Sequence, residues 1–543
     1  MGPIFRPQSP DSTLSEADLA PDPPSQTQLV SAVAHPYGMN YVKVENVALV
    51  TGLAGTGEDP APSPQRAALL AEMNRRGIEN PNDVLASPNT ALVLVRGFLR
   101  PGIQKGEKFD VEVRTPSRSD TTSLRGGMLL EVRLSETAVL GGQLRTGNEA
   151  AIAQGAILVD PSAAADKNST KATQGRVLSG GVAIKARKFG LILDHDHQSI
   201  RLSQTVAKAI NERFHTYIDG RRMGVATPKT DEFIELAMHP RYLENVGRYM
   251  RVVRNVATRE TAVQRLDRLE LLRDQLSDPV TAETAALRLE AIGDDAIDIL
   301  KEGAKSSDAE VRFYAAEALA YLDVTEAVAP LTRAASEDRA FRIAALAALG
   351  SMDDGAAAQA LYGMLELPSA DTRYGAFRAL SIMEPDDSRI VGEKLGESSS
   401  GKFSYHRLNV GGPPMIHVTS SHRPELVMFG AGHRLKLPLL LDAGSRILVN
   451  GLRGNEITVS RFGPGEPTQE RVVSGDVDEV IRAVVDLGGE YPDVVQMLRQ
   501  AESSGALSSR YCEDALPEPG REHQREPVGE PDPDPKKLLT SAE

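Results

Sequence analysis

At 543 residues and 41% hydrophobic content, the chain is long enough for three or more domains and can fill several cores. No run approaches the roughly 18 consecutive apolar residues of a membrane span, and with no Trp and only 4% aromatic residues, stacking on single-stranded nucleic acid is poorly supported. The net charge of −14 is uneven: residues 1–40 contribute four acids and one base, and residues 513–543 contribute nine acids and four bases.

Both ends are proline-rich, so residues 1–35 and 513–543 read as disordered tails. The first of them has no basic start followed by an apolar core, so as written it is not a secretory signal. From residue 36 to about 260, short strands, glycine turns and a few helices alternate. Strands are expected at Tyr41–Thr51, Thr90–Arg96, Lys108–Arg114, Met128–Leu134, Ala150–Val159, Lys188–Leu193 and Glu232–Met238. One helix should run from Pro64 to Arg76, behind a Ser63 N-cap and before Gly77. A second, from about Ser203 to Tyr217, places Val206, Ile210, Phe214 and Tyr217 on one face. The whole is an α+β domain or a pair of them.

An arginine-rich stretch, Arg241–Asp274, follows. Glu244, Glu260, Asp267, Glu270 and Asp274 interleave with its bases, which favours a solvated helix face over a nucleic-acid stripe. Its end, residues 261–277, is taken as a helical linker. From 278 to 397 the sequence repeats. TAETAALRLEAI at Thr281, VRFYAAEALAYL at Val311, FRIAALAALGSM at Phe341 and TRYGAFRALSIM at Thr372 are offset by 30, 30 and 31 residues. Arg312, Arg342 and Arg373 recur at one position, and Asp308 and Asp338 sit where an N-cap would. Four units of two short helices make an α-solenoid of HEAT-like type, a surface for contact more than a site for chemistry. After a Ser/Gly break, residues 402–512 form a mixed β/α domain with short strands and two helices broken at Gly488 and Gly489. The lone Cys512 excludes an internal disulfide and any multi-cysteine metal site, and reads as an exposed bystander at the tail junction.

Two motifs invite a chemical reading. GLAGTG, Gly52 to Gly57, has the glycine spacing of a phosphate loop, but Glu58 and Asp59 stand where Lys and Ser/Thr should follow, and the dinucleotide order of glycines is reversed. Glycines that permit positive φ in a tight loop are the simpler account. DHDH, Asp194 to His197, would aim His195 and His197 the same way if extended, yet no further ligand is nominated, so it reads as a polar turn. His417, His422 and His433 are scattered among loops, and Lys105, Arg118, Lys185, Arg187 and Lys188 read as surface charge. No catalytic, cofactor-binding or metal-ligating residue emerges, and an enzyme is not expected.

With its downstream neighbours the glycine loop resembles the bacterial flagellar P-ring protein family over residues 36–260. The matching positions are Val50, Gly52, Leu53, Gly55, Thr56 and Gly57; Pro101, Gly102, Phe109, Asp110, Val111 and Val113; Ser123, Leu124, Gly126, Gly127, Leu129 and Leu130; and Ala151, Ala153, Gln154 and Gly155. The resemblance implies a non-catalytic subunit without cofactors. Such subunits self-assemble in the periplasm into a ring, a bushing around the flagellar rod that works with the L ring at the peptidoglycan layer. The glycines would then shape a subunit of a closed homo-oligomer. The repeats and the C-terminal domain depart from that pattern, and so does the start of the chain, which would leave the protein in the cytoplasm if genuine. A non-flagellar scaffold whose repeats bind a protein partner is the alternative.

Overall fold

A computed structural model describes residues 27–516 apart from 141–142, 160–169, 219, 397–401, 453, 455 and 464–466. The tail boundaries expected at 35 and 513 shift. Gln28–Leu29 pairs with Ala257–Arg259, and Arg510–Glu513 joins a sheet, so the half-buried Cys512 is a strand residue opposite His417 and not an exposed bystander. The rest of both tails lies outside the described residues.

Six antiparallel strands close into a barrel. In order around it they are Val42–Thr51, Ala91–Leu99, Lys108–Arg114, Gln174–Ala183, Gln143–Ala156 and Met128–Leu140, the last pairing back onto the first. Closure removes the sheet edges. Alternate residues such as Val93, Val95, Val111, Val113, Ala151 and Ala153 point inward to form one core. Leu92, on the outward face, is also buried, because the helix Pro64–Arg75 covers it with Leu69 and Met73. The expected 150–159 strand is two pieces, Gln143–Ala156 and Leu158–Val159.

Beside the barrel, Ala226–Pro228, Phe233–Leu236, Phe189–Leu193 and Ala34–Tyr37 form a four-stranded sheet under the helix Ile200–Arg213. That helix starts at a Ser199 N-cap and ends four residues before the expected Tyr217. Val206, Ile210 and Phe214 are buried as expected, whereas Tyr217 is 68% exposed in a hairpin of His215–Ile218 with Arg221–Gly224.

The repeats are four helical hairpins: Ala262–Leu276 with Ala282–Ile292, Ile297–Gly303 with Ala309–Tyr321, Val328–Glu337 with Arg342–Leu349, and Gly355–Met364 with Ala370–Met383. The segment read as a linker is thus the first helix of the array, burying Leu272 and Leu276. Asp308 is an N-cap, accepting from Val311 N at 3.0 Å, but Asp338 follows the preceding helix and accepts from Ala340 N at 2.8 Å. The recurring arginine has one role. Arg312 donates to the Ser306 carbonyl at 2.7 Å, Arg342 to that of Ala335 at 2.9 Å and Arg373 to that of Leu365 at 2.6 Å. Each satisfies carbonyls at or just beyond the end of the preceding helix, which would otherwise lack partners.

The C-terminal domain has a mixed sheet, in the order Glu393–Leu395, Phe403–Leu408, Glu425–Phe429, Met415–Val418, Arg510–Glu513. A meander of Leu439–Ala443, Ile447–Gly451, Glu456–Arg461 and Gln469–Ser474 packs with the helices Val477–Asp486 and Tyr491–Ser503. His417 is a buried strand residue and not a loop residue, whereas His433 does lie in a loop, though a buried one.

Candidate functional site

The motif residues gather at the barrel and its junctions. In the glycine loop, Gly52 and Gly55 adopt φ of +80° and +76°, and a Cβ on Gly57 would lie 2.0 Å from the Thr90 carbonyl oxygen. The loop amides are already committed. Leu53 N donates to Asn89 O at 3.1 Å, Gly55 N to Asn89 Oδ1 at 3.2 Å, Gly57 N to Pro88 O at 2.8 Å and Glu58 N to Thr90 O at 3.2 Å. Thr56 donates its hydroxyl to Ser123 O at 2.7 Å, fastening the loop to the second motif. The acidic follow-on has a use as well, since Glu58 accepts from the Ser119 hydroxyl and the Asp120 amide. This is a strapped turn whose donors do not face a phosphate.

The other motifs are spacing devices. Gly127 approaches Val50 so closely that a Cβ would meet its Cγ1 at 2.6 Å, and Leu53, Leu124 and Leu129 fill the barrel end. Phe109 occupies the barrel interior opposite Gly97 and Gly181, where a Cβ would strike its ring at 2.5 and 2.6 Å. Pro101–Gly102 turns with φ +66° at Gly102, which lies against the Phe189 ring of the neighbouring sheet. Gly155 reaches φ +139° within its strand, and Gln154 is exposed on the barrel exterior. Arg187 is no free surface charge: it donates to the Asn40 side-chain oxygen at 2.9 Å and the Leu99 carbonyl at 3.2 Å.

Two motif positions reach the C-terminal domain. Asp110, buried in the third barrel strand, accepts from Ser179 N at 2.8 Å and from His422 N, while the Ser179 hydroxyl donates to His422 O at 2.8 Å. Burial pushes the Asp110 carboxyl up and the His422 imidazole down. Ser179 and His422 both take positive φ, +52° and +66°, which aims their amides at the one carboxylate. Gly126 faces Ser445 across a cleft of ≈ 220 Å³ that Gly52 and Gly127 line on one side and Arg461 and Asp493 on the other. Sequence reasoning missed Ser179 and noted His422 only as a loop histidine without a role, because no local pattern marks either of them.

The arginine-rich stretch divides: up to Arg254 it is an interface, whereas the helix Ala262–Leu276 keeps the expected solvated face, with Arg265, Asp267, Glu270 and Arg273 exposed. Arg248, in helix Val246–Arg254, is 2% exposed and holds Glu290 at 3.1 Å through Nε and Glu317 at 2.6 Å through Nη1. Tyr242 donates to the fully buried Glu290 at 2.6 Å and stacks on Tyr321 at 4.8 Å. Arg241–Asp323, Arg251–Glu283 and Arg265–Asp295 extend the line outward, at 2.9, 2.8 and 2.8 Å. At the far end of the solenoid, Tyr374 and Arg378 both bind the buried Glu425, at 2.7 and 2.9 Å, and Tyr374 stacks on His417 at 3.6 Å.

DHDH is compact, not extended: His195–His197 forms a 3₁₀ turn with exposed side chains, and Asp194 pairs with His35 at 2.9 Å. Among the described residues, no group of three or more His, Cys, Asp or Glu could hold a metal.

These elements define a multidomain α+β protein in which a closed barrel carries the motif residues and a helical-repeat array joins it to a third domain. Residues 30–266 match the family described as Flagellar P-ring protein, and residues 297–381 match HEAT repeats. The chain is similar to Flagellar P-ring proteins of Caulobacter vibrioides (33% identical over 178 residues, 31% of this chain and 45% of the relative) and Thermotoga maritima (30% over 200 residues, 35% and 56%). It also resembles that of Shewanella baltica, at 29% over 201 residues, 35% of this chain and 52% of the relative. The chain spans about half the length of the curated relatives it matches.

Proposed function

We propose that the chain is a structural subunit of the flagellar basal-body P ring, self-assembling in the periplasm around the rod and meeting rod and L-ring proteins. The HEAT-like solenoid would add protein or cell-wall contacts. What carries the reading is that the motif glycines and Asp110 are all used to shape one closed barrel and its junctions, within the segment that matches the P-ring family. No helix among the described residues is long and apolar enough to cross a membrane. A scaffold with a partner bound to the repeats is the second reading, favoured by the HEAT-repeat match that follows the P-ring match in this chain.

Electron cryotomography of basal bodies in cells with and without the gene tests the first reading, combined with fractionation of the mature protein. Loss of the ring density around the rod on deletion is the expected result. Unchanged basal bodies, or a mature protein confined to the cytoplasm, would refute it. Deleting the solenoid is a poor test of its role, because its core is continuous with both neighbours. Val263→Glu with Leu266→Glu, at positions 67% and 66% exposed on its first helix, probes contacts without removing that core.

A further inference from the structure

The barrel, the last solenoid helix and the C-terminal sheet meet around a cleft of ≈ 640 Å³. Its walls carry Lys105 and Lys108 from the barrel, Arg378 from the helix Ala370–Met383, and Lys394, His422 and Arg423 from the C-terminal domain. Three carboxylates share these walls, and each is held by an arginine. Glu107 pairs with Arg100 at 2.9 Å, Glu425 with Arg378 at 2.9 Å, and Glu393 with Arg482. No described carboxylate lies within ion-pair distance of Lys105, Lys108 or Lys394.

Like charges crowd here. Lys394 is exposed, yet partial desolvation against the cleft wall, and then the neighbouring Lys108 and Arg378, push its ammonium down against the pull of Glu425. Two buried nitrogens also lack a hydrogen-bond partner among the described residues: Nε of Arg378, whose side chain is 8% exposed, and Nδ1 of His422. A buried polar group left unpaired costs about 1–3 kcal/mol, so native structures rarely keep one without a reason. Cations from three separate domains facing one half-enclosed space form a focused positive field. The volume is that of a small-ligand site.

We propose that this cleft binds an oxyanion, a carboxylate or phosphate group carried by a small ligand or by an acidic peptide. Such a group would neutralise the lysines and tie the three domains together at the point where they meet.

Titration calorimetry on the full chain tests this with two probes, inorganic phosphate and a penta-aspartate peptide. Binding of either supports the proposal, and which one binds identifies the source of the oxyanion. Lys108→Gln with Lys394→Gln should weaken binding by at least roughly tenfold, and Lys108→Arg with Lys394→Arg should retain it. Lys43→Gln with Lys208→Gln, at lysines paired elsewhere on the surface, should leave it unchanged. Absence of binding by both probes up to about 10 mM overturns the proposal, as does binding that survives undiminished in the Gln variant.

Discussion

Replacing Arg248 by Met tests whether the arginine-rich stretch fastens the P-ring-like region to the solenoid. The guanidinium is buried between Glu290, which is fully buried, and Glu317, so its removal strands two carboxylates away from water. Breaking a buried pair from one side costs about 3–5 kcal/mol. At 1.36 kcal/mol per decade, local opening should become roughly 150- to 5,000-fold more frequent. Hydrogen exchange of the intact chain, read on peptides covering Val246–Arg254 and Ala282–Ile292, measures it. The sign with pH is also fixed. Burial already raises the Glu317 carboxyl, and Arg248 is the largest influence opposing that rise. Without Arg248 the folded-state pKa climbs further above the unfolded value, so the folded protein holds an extra proton over a wider window. Stability is lost as pH rises through that window. The defect should therefore be smaller near pH 5 than near pH 8, and combining Arg248→Met with Glu290→Gln and Glu317→Gln should recover part of it. An exchange increase below about tenfold, or a defect independent of pH, would refute the reasoning.

Three further outcomes are expected. Gly57→Ala drives a methyl against the Thr90 carbonyl, whereas Gly55→Ala meets open space and bears only the strain of φ +76°, about 1–2 kcal/mol; exchange in Val42–Thr51 and Ala91–Leu99 should rise more for the first than for the second. Asp110→Asn turns one acceptor into a donor facing an amide, and should loosen residues 177–181 and 419–425 by about 1–3 kcal/mol while leaving the meander of the C-terminal domain unchanged in exchange. His417, held down to about 3 by burial, contributes stability above its unfolded pKa that disappears as pH falls toward 3; melting curves between pH 6.5 and 4 should show an acid-side loss that His417→Gln flattens.

What the sequence displayed best was local periodicity. Lys108–Arg114 appears as read, and the helix behind Ser63 begins at its proline, because alternation and capping are written in neighbouring residues. The strand Gln174–Ala183 was invisible for a tertiary reason. Gly180 and Gly181 lower its strand propensity, yet Gly181 is there because the Phe109 ring, more than 70 residues earlier, occupies the space its side chain would take. Tyr217 continued a helical spacing by coincidence, since the chain turns extended at Phe214, φ −114° and ψ 110°, to enter a hairpin. Interleaved acids made the arginine stretch look solvated, but Arg248 ignores them and binds carboxylates 42 and 69 residues downstream. A charge pattern states which partners are nearby in the chain, not which are nearby in space.

The same distinction bears on the repeats. A period of about 30 residues identifies a solenoid, which suggests an appendage, yet both of its ends are consumed. Its first hairpins share an apolar core and the Arg248 cluster with the sheet beside the barrel, and its last helix shares Phe429, His417 and Glu425 with the C-terminal domain. That domain then returns to the barrel through Asp110, Ser179 and His422, so the chain closes on itself. The three closures differ in kind. Those at the solenoid ends bury long continuous apolar cores, whereas the return to the barrel brings only Leu158 and Leu178 into the C-terminal core, beside a few hydrogen bonds and two clefts. Local opening follows the contact with least apolar burial, so the barrel and the C-terminal domain should part first, with the solenoid acting as the hinge between them. In a ring subunit that would place adjustable geometry at the Asp110 junction, and an oxyanion in the adjoining cleft would lock it.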